Sequence, residues 1–336
     1  MTRVTLVTGA AGFAGSHLID LLSDSAIRLK PDPTTADPTK ATAVKEADPT
    51  RLVGWYRPGG TPPPTHGSTV TWEAIDLLDR SSVVDALARL RPAMVYHCAG
   101  AAHVGQAWER TEATLAINVR GTHHLLEGLC QAGAETRVLI PGSALVYRPA
   151  GEALAEDHPL APAGPYGVSK LAQELLAGRT AASGVQVTIA RAFNHFGPRQ
   201  DPAFSTSGFA RQIAAIEAGL QPPEISVGNL DARRDLTDVR DTVRAYRAIA
   251  ERGEAGRAYN VCSGRAVAIR EVLDMLVARA RVPIRVHVDP ARFRPNDVPL
   301  LLGDPSRLSN ELGWAPTIAL DQTLDDILQY WRQEVR

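Results

Sequence analysis

A glycine-rich turn near the start of the chain is the feature that most constrains its fold. The segment T-G-A-A-G-F-A-G at residues 8–15 follows a strand-like run and precedes a helix-like run. In that context Gly9 permits a tight turn, Gly12 lets the backbone approach a pyrophosphate, and Gly15 lets the helix pack closely on a sheet. The anion would lie on free N–H groups at the helix N-terminus. A turn without a ligand is the alternative. The residues expected to bind a dinucleotide here are Gly9, Gly12, Phe13 and Gly15.

Strand-like and helix-like runs alternate up to about residue 190. Strands are predicted at 3–8, 52–56, 69–72, 94–98, 137–140 and 185–190, and helices at 16–22, 81–90, 112–132 and 169–180. This alternation predicts an α/β fold with a Rossmann-type doubly wound parallel sheet. Beyond residue 193, proline- and arginine-rich loops separate predicted helices at 208–218, 242–251, 270–279 and 320–332. We expect a smaller mixed α/β C-terminal lobe there.

The predicted domain division follows from that change of pattern. Residues 1–193 are expected to form the dinucleotide-binding domain, with parts of 231–265 returning to it, and residues 194–336 mainly the substrate lobe. Residues 23–50 are rich in Pro, Thr, Ala and Asp without a sustained apolar period. An αβ loop usually has about 2–6 residues, so this segment is predicted to be an inserted flexible surface loop, with a functional lid as the alternative.

Composition excludes several classes of protein. The 36 basic residues balance 37 acidic ones, which disfavours a nucleic-acid binder that depends on phosphate attraction. No apolar run of 18 residues is present, so no membrane span is expected. The three cysteines are scattered, which predicts core residues in a reducing compartment and no metal site. We therefore expect a cytoplasmic protein.

The end of the second predicted strand bears on the choice of cofactor. NAD-binding sheets carry an acidic residue there for the ribose 2′-hydroxyl, whereas an arginine can accommodate the 2′-phosphate of NADP. This chain has G-W-Y-R, which ends in Arg57. NADP(H) is therefore favoured over NAD(H), although NAD(H) stays possible and Arg57 could also be a solvated loop residue.

A tyrosine and a lysine are spaced for proton transfer. Tyr166 and Lys170 lie one helical turn apart, so their side chains share one helix face. A nearby cation lowers a tyrosine pKa, which would suit acid–base catalysis. Ser143 follows the preceding strand, where ligands bind in open α/β sheets. The chain has only four lysines, and Lys170 is the one outside the segment 23–50, which argues against a chance pairing.

Together these motifs resemble the extended short-chain dehydrogenase/reductases. The segments F-N-H-F-G-P-R-Q at 193–200, G-F-A-R-Q-I at 208–213 and R-F-R-P at 292–295 resemble the subgroup acting on GDP-sugars, the GDP-mannose 4,6-dehydratases and GDP-4-keto-6-deoxymannose reductases. The resemblance covers essentially the whole chain. It implies a GDP-sugar substrate and a homodimer or homotetramer.

The resemblance also assigns roles by position. It implies catalysis by Ser143, Tyr166 and Lys170, with Tyr166 and Lys170 also touching the cofactor. The further cofactor residues that it implies are Asp76, Leu77 and Ala99. The substrate residues that it implies are Asn194, Arg211, Arg234 and Arg294.

One departure from the family pattern separates the possible reactions. Dehydratases of this kind carry a glutamate base two residues beyond the serine, and this chain has Leu145 there. Leucine cannot abstract a proton, so 4,6-dehydration is disfavoured. The expected reaction is NADPH-dependent reduction of the C4 ketone of a GDP-4-keto-6-deoxyhexose. A nucleotide-sugar 4-epimerase with tightly bound NAD is the first alternative, and a non-catalytic cofactor-binding regulator is the last.

Overall fold

A computed structural model describes residues 3–24, 51–63, 70–180, 183–292 and 298–335. The insertion predicted over 23–50 therefore lies outside the described residues, apart from Ser23 and Asp24. Arg294 also lies outside them. None of the described helices is long and apolar enough to cross a membrane.

Thirteen strands are described, and seven of them form one parallel sheet in the order β10-β6-β5-β4-β1-β2-β3. The strands are β1 (Val4–Thr8), β2 (Arg51–Tyr56), β3 (Val70–Ala74), β4 (Met94–His97), β5 (Thr136–Pro141), β6 (Val185–Ala192), β7 (Asn194–Phe196), β8 (Glu224–Val227), β9 (Arg233–Asp238), β10 (Ala258–Val261), β11 (Ala266–Ala268), β12 (Arg285–Val288) and β13 (Leu300–Leu301).

Helices cover both faces of this sheet. The α-helices described in the chain are α1 (Phe13–Ser23), α2 (Arg80–Leu90), α3 (Gln106–Glu109), α4 (Thr111–Leu115), α5 (Gly121–Ala132), α6 (Pro165–Ala177), α7 (Ser205–Glu217), α8 (Val239–Arg252), α9 (Ile269–Val277), α10 (Ser306–Leu312) and α11 (Leu320–Glu334). Successive residues of a strand point to opposite faces. Accordingly, Val7 packs in the core formed with α1, α8 and α10, whereas Leu6 packs in the core formed with α2 and α5. The α/β, doubly wound parallel fold predicted from the sequence is confirmed.

The register of the sheet gathers the site at one edge. Thr8 pairs with Trp55 and with His97, so the glycine turn lies beside the carboxyl ends of β2 and β4. Strand β5 continues this edge and leads to Ser143. In parallel open sheets this is the edge at which ligands bind.

The chain beyond residue 193 builds mostly smaller sheets. Strands β7, β9, β11 and β13 form one of them, and β8 pairs with β12. A third apolar core, which includes Phe209, Val272 and Ile327, joins α7, α9 and α11 to these strands. Strand β10 instead pairs with β6 as the edge strand of the large sheet.

Two helices differ in detail from their predicted ranges. The helix expected at 169–180 begins at Pro165, because proline suits the first turn, where its missing N–H is not needed. As a result Tyr166 lies in the first turn of α6. The helix expected at 112–132 contains a π-helical segment, Ala116–Arg120, between α4 and α5. Such a bulge is frequent at functional sites, and this one carries Asn118.

Candidate active site

The glycine turn brings backbone segments close together at the start of α1. Gly9 has a φ of +63°, and a Cβ there would lie 2.6 Å from the backbone nitrogen of Ala99. A Cβ on Gly15 would overlap the carbonyl oxygen of Gly9. Helix α1 begins after Gly12 with no side-chain cap, so the N–H groups of its first turn have no capping partner. This cradle fits the pyrophosphate of a dinucleotide.

The other predicted cofactor residues lie along the same edge. The N–H of Ala99 donates to the Thr8 hydroxyl (3.3 Å), beside the turn. Asp76 and Leu77 lie one residue beyond the end of β3; Asp76 is exposed, and its carboxylate accepts from the N–H of Leu78. Arg57 is exposed at the end of β2, and within the described part of the chain its side chain has no ion-pair partner.

An acidic residue on the neighbouring strand, paired opposite Trp55, is already engaged. Glu73 of β3 accepts from the indole N–H of Trp55 (3.1 Å) and from Arg89 (2.9 Å). Its side chain is held against β2 and α2, so it is not presented to a ribose at the strand end. Arg57 is consequently the charged side chain at the end of β2.

Ser143, Tyr166 and Lys170 are brought together where β5 ends. The Ser143 hydroxyl accepts from the N–H of Leu145 (3.1 Å) and hydrogen-bonds the Tyr166 hydroxyl. The Lys170 ammonium lies 6.0 Å from the centre of the Tyr166 ring and donates to the carbonyl of Pro141 (3.0 Å). Three residues from two separate segments therefore meet at the predicted edge of the sheet.

Burial sets the protonation of this trio. It raises the pKa of Tyr166 to about 12, and the hydrogen bond from Ser143 opposes that rise. Burial also lowers the pKa of Lys170 to about 8, against the attraction of Cys98 and Glu174. The sequence predicts a lowered tyrosine pKa, but in the structure the cost of burying a phenolate is larger than any effect of the cation. Tyr166 is consequently a protonated acid at neutral pH.

A buried polar chain links the glycine turn to the catalytic helix. The Thr122 hydroxyl donates to the carbonyl of Asn118 (2.6 Å), so its oxygen accepts from the Nε2–H of His97 (2.9 Å) and from Gln173 (2.6 Å). The other ring nitrogen of His97 then accepts from the Thr8 hydroxyl (2.8 Å). Burial lowers the pKa of His97 to about 3, which keeps the ring neutral. This chain of hydrogen bonds therefore fixes the position of Thr8 relative to α6.

Asn118 makes a second link to the catalytic helix. Its amide donates to the hydroxyl of Ser169 (2.9 Å) and to the carbonyl of Ala101 (3.1 Å), and its oxygen accepts from the N–H of Ala101 (2.8 Å). The Ser169 hydroxyl in turn donates to the carbonyl of Tyr166 (2.7 Å). The π-helical segment thus holds the loop after β4 against the first turn of α6.

An ion pair behind the trio was not found by sequence reasoning. Arg191 of β6 binds both oxygens of Glu174 and donates to the Tyr147 hydroxyl (3.0 Å), and its side chain is 7% exposed. Glu174 lies one helical turn beyond Lys170, on the same face of α6. That spacing is the available sequence signal, but the partner Arg191 lies on a distant strand and is found only in the folded chain.

The glycine turn and α1 are also held in place by β7 and the loop that follows it. His195 stacks on the ring of Phe13, with ring centres 5.9 Å apart and planes 4° apart. The ring of His17 on α1 hydrogen-bonds the carbonyl of Pro198 (2.9 Å), and Arg199 contacts both His17 and Asp20. His195 therefore packs against the turn, and burial lowers its pKa.

The predicted substrate residues occupy different parts of the second half. Asn194 is exposed at the start of β7. Arg234 of β9 donates to the carbonyl of Val298 (2.7 Å), next to the segment that holds Arg294 outside the described residues. Arg211 is exposed on α7, and its guanidinium lies 5.9 Å from the centre of the Trp331 ring. No contact within the described ranges joins Arg211 to the catalytic trio, so its substrate role stays a prediction.

A largely apolar cavity opens beside Tyr166. Leu145 lines it, and no carboxylate is among the described residues that do so. Within the described ranges, no group of three or more His, Cys, Asp or Glu side chains could hold a metal ion. The predicted reacting groups at this edge are Ser143, Tyr166 and Lys170.

Comparison with known proteins assigns the family. A family model described as GDP-mannose 4,6 dehydratase matches residues 6–327. The chain belongs to this family. The resemblance to extended short-chain dehydrogenase/reductases acting on GDP-sugars is confirmed, and so is the prediction of an NAD(P)-dependent nucleotide-sugar oxidoreductase.

Relatives within the family include both reductases and dehydratases. GDP-6-deoxy-D-mannose reductase of Pseudomonas aeruginosa is 35% identical over 340 residues, covering 100% of this chain and 99% of that protein. GDP-mannose 4,6-dehydratase of Vibrio cholerae is 27% identical over 361 residues, covering 97% and 92%. Among solved structures, RMD from Pseudomonas aeruginosa complexed with NADPH has a TM-score of 0.80 and 33% identity, covering 99% and 100%.

Proposed function

We propose that this protein reduces the C4 ketone of a GDP-4-keto-6-deoxyhexose with NADPH, which yields a GDP-6-deoxyhexose such as GDP-6-deoxy-D-mannose. The observation that carries the proposal is the combination of Ser143, Tyr166 and Lys170 with Leu145 beside them. This set can serve hydride transfer and protonation, but it lacks the carboxylate that would remove the C5 proton in a 4,6-dehydration. The reductase of Pseudomonas aeruginosa, similar along its full length, supports the same reaction.

The cofactor fits the residues at the sheet edge. The free N–H groups after Gly12 would hold the pyrophosphate, and Gly9 and Gly15, where a Cβ would clash with backbone, allow the turn to be this tight. Asp76, Leu77 and Ala99 would line the adenosine and backbone path. Bound NADPH would supply a hydride to C4. Arg57 would meet the 2′-phosphate, as the glutamate nearby is engaged elsewhere.

The catalytic residues would then handle the proton. Tyr166 would donate its hydroxyl proton to the oxygen that forms at C4, and its high pKa keeps that proton available at neutral pH. The Ser143 hydroxyl, which is hydrogen-bonded to that of Tyr166, would orient the C4 oxygen. The charged form of Lys170, which its pKa of about 8 makes predominant at neutral pH, would stabilise the phenolate left behind and contact the cofactor.

Further parts of the proposal rest on the family resemblance. Asn194, Arg211, Arg234 and Arg294 would bind the GDP-sugar, largely through residues 194–336, while residues 1–193 with parts of 231–265 would bind the cofactor. We also propose a cytoplasmic homodimer or homotetramer.

One assay separates the proposal from the alternatives. Purified protein is incubated with NADPH and GDP-4-keto-6-deoxymannose, and the loss of NADPH absorbance is followed with product analysis. We expect stoichiometric oxidation of NADPH and formation of GDP-6-deoxy-D-mannose. A protein that carries tightly bound NAD and epimerises a 4-hydroxy nucleotide sugar without net redox change would refute the reductase assignment.

A further inference from the structure

The cavity beside Tyr166 has few polar side-chain atoms in its walls. Fifteen described residues line it, and twelve of them carry no polar side-chain atom. Leu145 comes from the turn after β5, Val104 from the loop after β4, and Leu300 and Leu301 from β13. Walls from three separate parts of the chain therefore give a mostly apolar surface directly beside Tyr166.

The three lining residues with polar side-chain atoms offer little to a buried hydroxyl. The Tyr147 hydroxyl donates to Asn260 (2.7 Å) and accepts from Arg191 (3.0 Å), so its donor is already used. Trp108 is 53% exposed, at the solvent side. Tyr166 is the proposed proton donor. A hydroxyl group that entered this cavity would lose hydrogen bonds to water without an equivalent side-chain partner.

The chemistry of the sugar ring selects which substituent enters. In a 4-keto-6-deoxyhexose, C4 is flanked by C3, which carries a hydroxyl, and by C5, which carries the C6 methyl. With the C4 oxygen on Tyr166 and Ser143, one of these two neighbours faces the cavity. The methyl is the only apolar substituent of the ring, so burial there is favourable for it and unfavourable for a hydroxyl.

We propose that Val104, Leu145 and Leu301 form the subsite for the C6 methyl group and make the enzyme select 6-deoxy sugars over 6-hydroxy sugars. This inference rests on the proposed function and names the specificity determinant of that same site. Leu145 then has two effects: it leaves no base for dehydration, and it packs against the methyl group that an earlier dehydration would have created. The class of reaction that supplies the substrate is therefore elimination of water across C5 and C6 of a 4-keto-hexose, followed by reduction of the resulting C5=C6 bond by hydride from a reduced nicotinamide at C6 and a proton at C5.

The test compares two ligands that differ only in the 6-hydroxyl. GDP-6-deoxy-D-mannose and GDP-D-mannose are each measured as competitive inhibitors of NADPH oxidation with GDP-4-keto-6-deoxymannose. An apolar pocket discriminates against an added hydroxyl by up to about a hundredfold. We expect the wild-type inhibition constant to be about ten- to a hundredfold lower for the 6-deoxy ligand. Equal constants in an active wild-type enzyme would overturn the subsite while leaving the proposed reaction intact.

Two variants test whether the side chain of Leu145 determines the preference for the 6-deoxy ligand. Leu145→Asn keeps side-chain size and adds hydrogen-bonding groups, so the preference for the 6-deoxy ligand should fall about tenfold. Leu145→Met, the matched apolar control, should keep the preference within about threefold of wild type. If Leu145→Asn does not fold, Val104→Thr replaces a methyl with a hydroxyl at nearly constant shape on another wall and should also reduce the preference.

The outcomes distinguish the two proposals. Polar variants that fold and turn over with an unchanged ligand preference contradict the methyl subsite. A wild-type protein that does not oxidise NADPH with GDP-4-keto-6-deoxymannose contradicts the proposed function, whatever the two ligands do. In that case direct calorimetric titration of both ligands still reports whether the cavity discriminates between them.

Discussion

The two halves of the site are built in opposite ways. The nucleotide half is backbone from one short stretch, residues 8–15, whose glycines allow a tight turn and leave N–H groups free at the start of α1. The half around Tyr166 is made of side chains from segments near residues 104, 145, 166 and 300. The first half depends on the absence of side chains, and the second depends on which side chains the fold brings together.

This difference explains how each half controls chemistry. Backbone N–H groups bind any diphosphate and carry little information about the rest of the ligand. Buried side chains instead shift pKa values in opposite directions, raising that of Tyr166 and lowering that of Lys170. The buried chain through His97 and Thr122 holds the two halves in a common geometry.

The largest effect is expected from Tyr166→Phe, which removes the hydroxyl of the proposed proton donor and leaves the glycine turn unchanged. Loss of the proton donor should reduce kcat about 10²- to 10⁴-fold, because general acid catalysis contributes about that much. The nucleotide half should be intact, so NADPH affinity by fluorescence titration should stay within about twofold. A variant with the wild-type rate would show that Tyr166 is not the acid.

The buried ammonium of Lys170 gives the next effect, which appears in the pH dependence of stability. The native pKa is about 8, against an ordinary value of 10.5, so between these pH values the unfolded chain binds more protons than the native one. The free energy of unfolding of wild type should therefore rise with pH across this window relative to Lys170→Met, by about 3 kcal/mol at most.

Urea unfolding of both proteins at pH 7.5 and pH 10.5 measures this difference. Because the variant lacks the titrating group, the comparison cancels pH effects elsewhere in the molecule. Parallel changes in the two proteins would mean that Lys170 is as well solvated as a surface lysine, and that the catalytic half is not the desolvated region described above.

Gly15→Ala is expected to disrupt the glycine turn of the nucleotide half. The new Cβ would overlap the carbonyl oxygen of Gly9, so α1 must shift away from the turn. We expect the free energy of unfolding to fall by about 1–3 kcal/mol and NADPH affinity to fall at least about tenfold. Gly151→Ala is the matched control, because nothing lies within 4 Å of a Cβ there. Equal behaviour of the two variants would remove the steric argument.

The smallest effect is expected from Arg57→Ala, which changes the selectivity between NADPH and NADH within the nucleotide half. Loss of one exposed contact to a phosphate should raise KM for NADPH about tenfold and leave KM for NADH nearly unchanged. Arg51→Ala is the control, because Arg51 lies at the opposite end of the same strand. A similar loss for both cofactors would exclude recognition of the 2′-phosphate by Arg57.

The sequence predicts those parts of the molecule whose structure follows from a local pattern of residues. The alternation of strands and helices predicted the parallel sheet, because each element's apolar period follows from its own geometry. The glycine turn was predicted with its strand and helix for the same reason. Tyr166 and Lys170 were paired because one helical turn separates them, and Leu145 was singled out because the family resemblance places a dehydratase glutamate two residues beyond Ser143.

Tertiary structure alone decided the rest, because burial and long-range contacts are not local properties of a chain. The pKa of Tyr166 is raised and not lowered, since the surrounding residues exclude water from a group that the sequence places beside a lysine. Arg191 meets Glu174, and His97 meets Thr8 and Thr122, across strands and helices far apart in sequence. The cavity beside Tyr166 likewise exists only where Val104, Leu145 and Leu301 converge. The chain's pattern determined where a nucleotide would bind, and the packing of distant segments decided the chemistry available beside it.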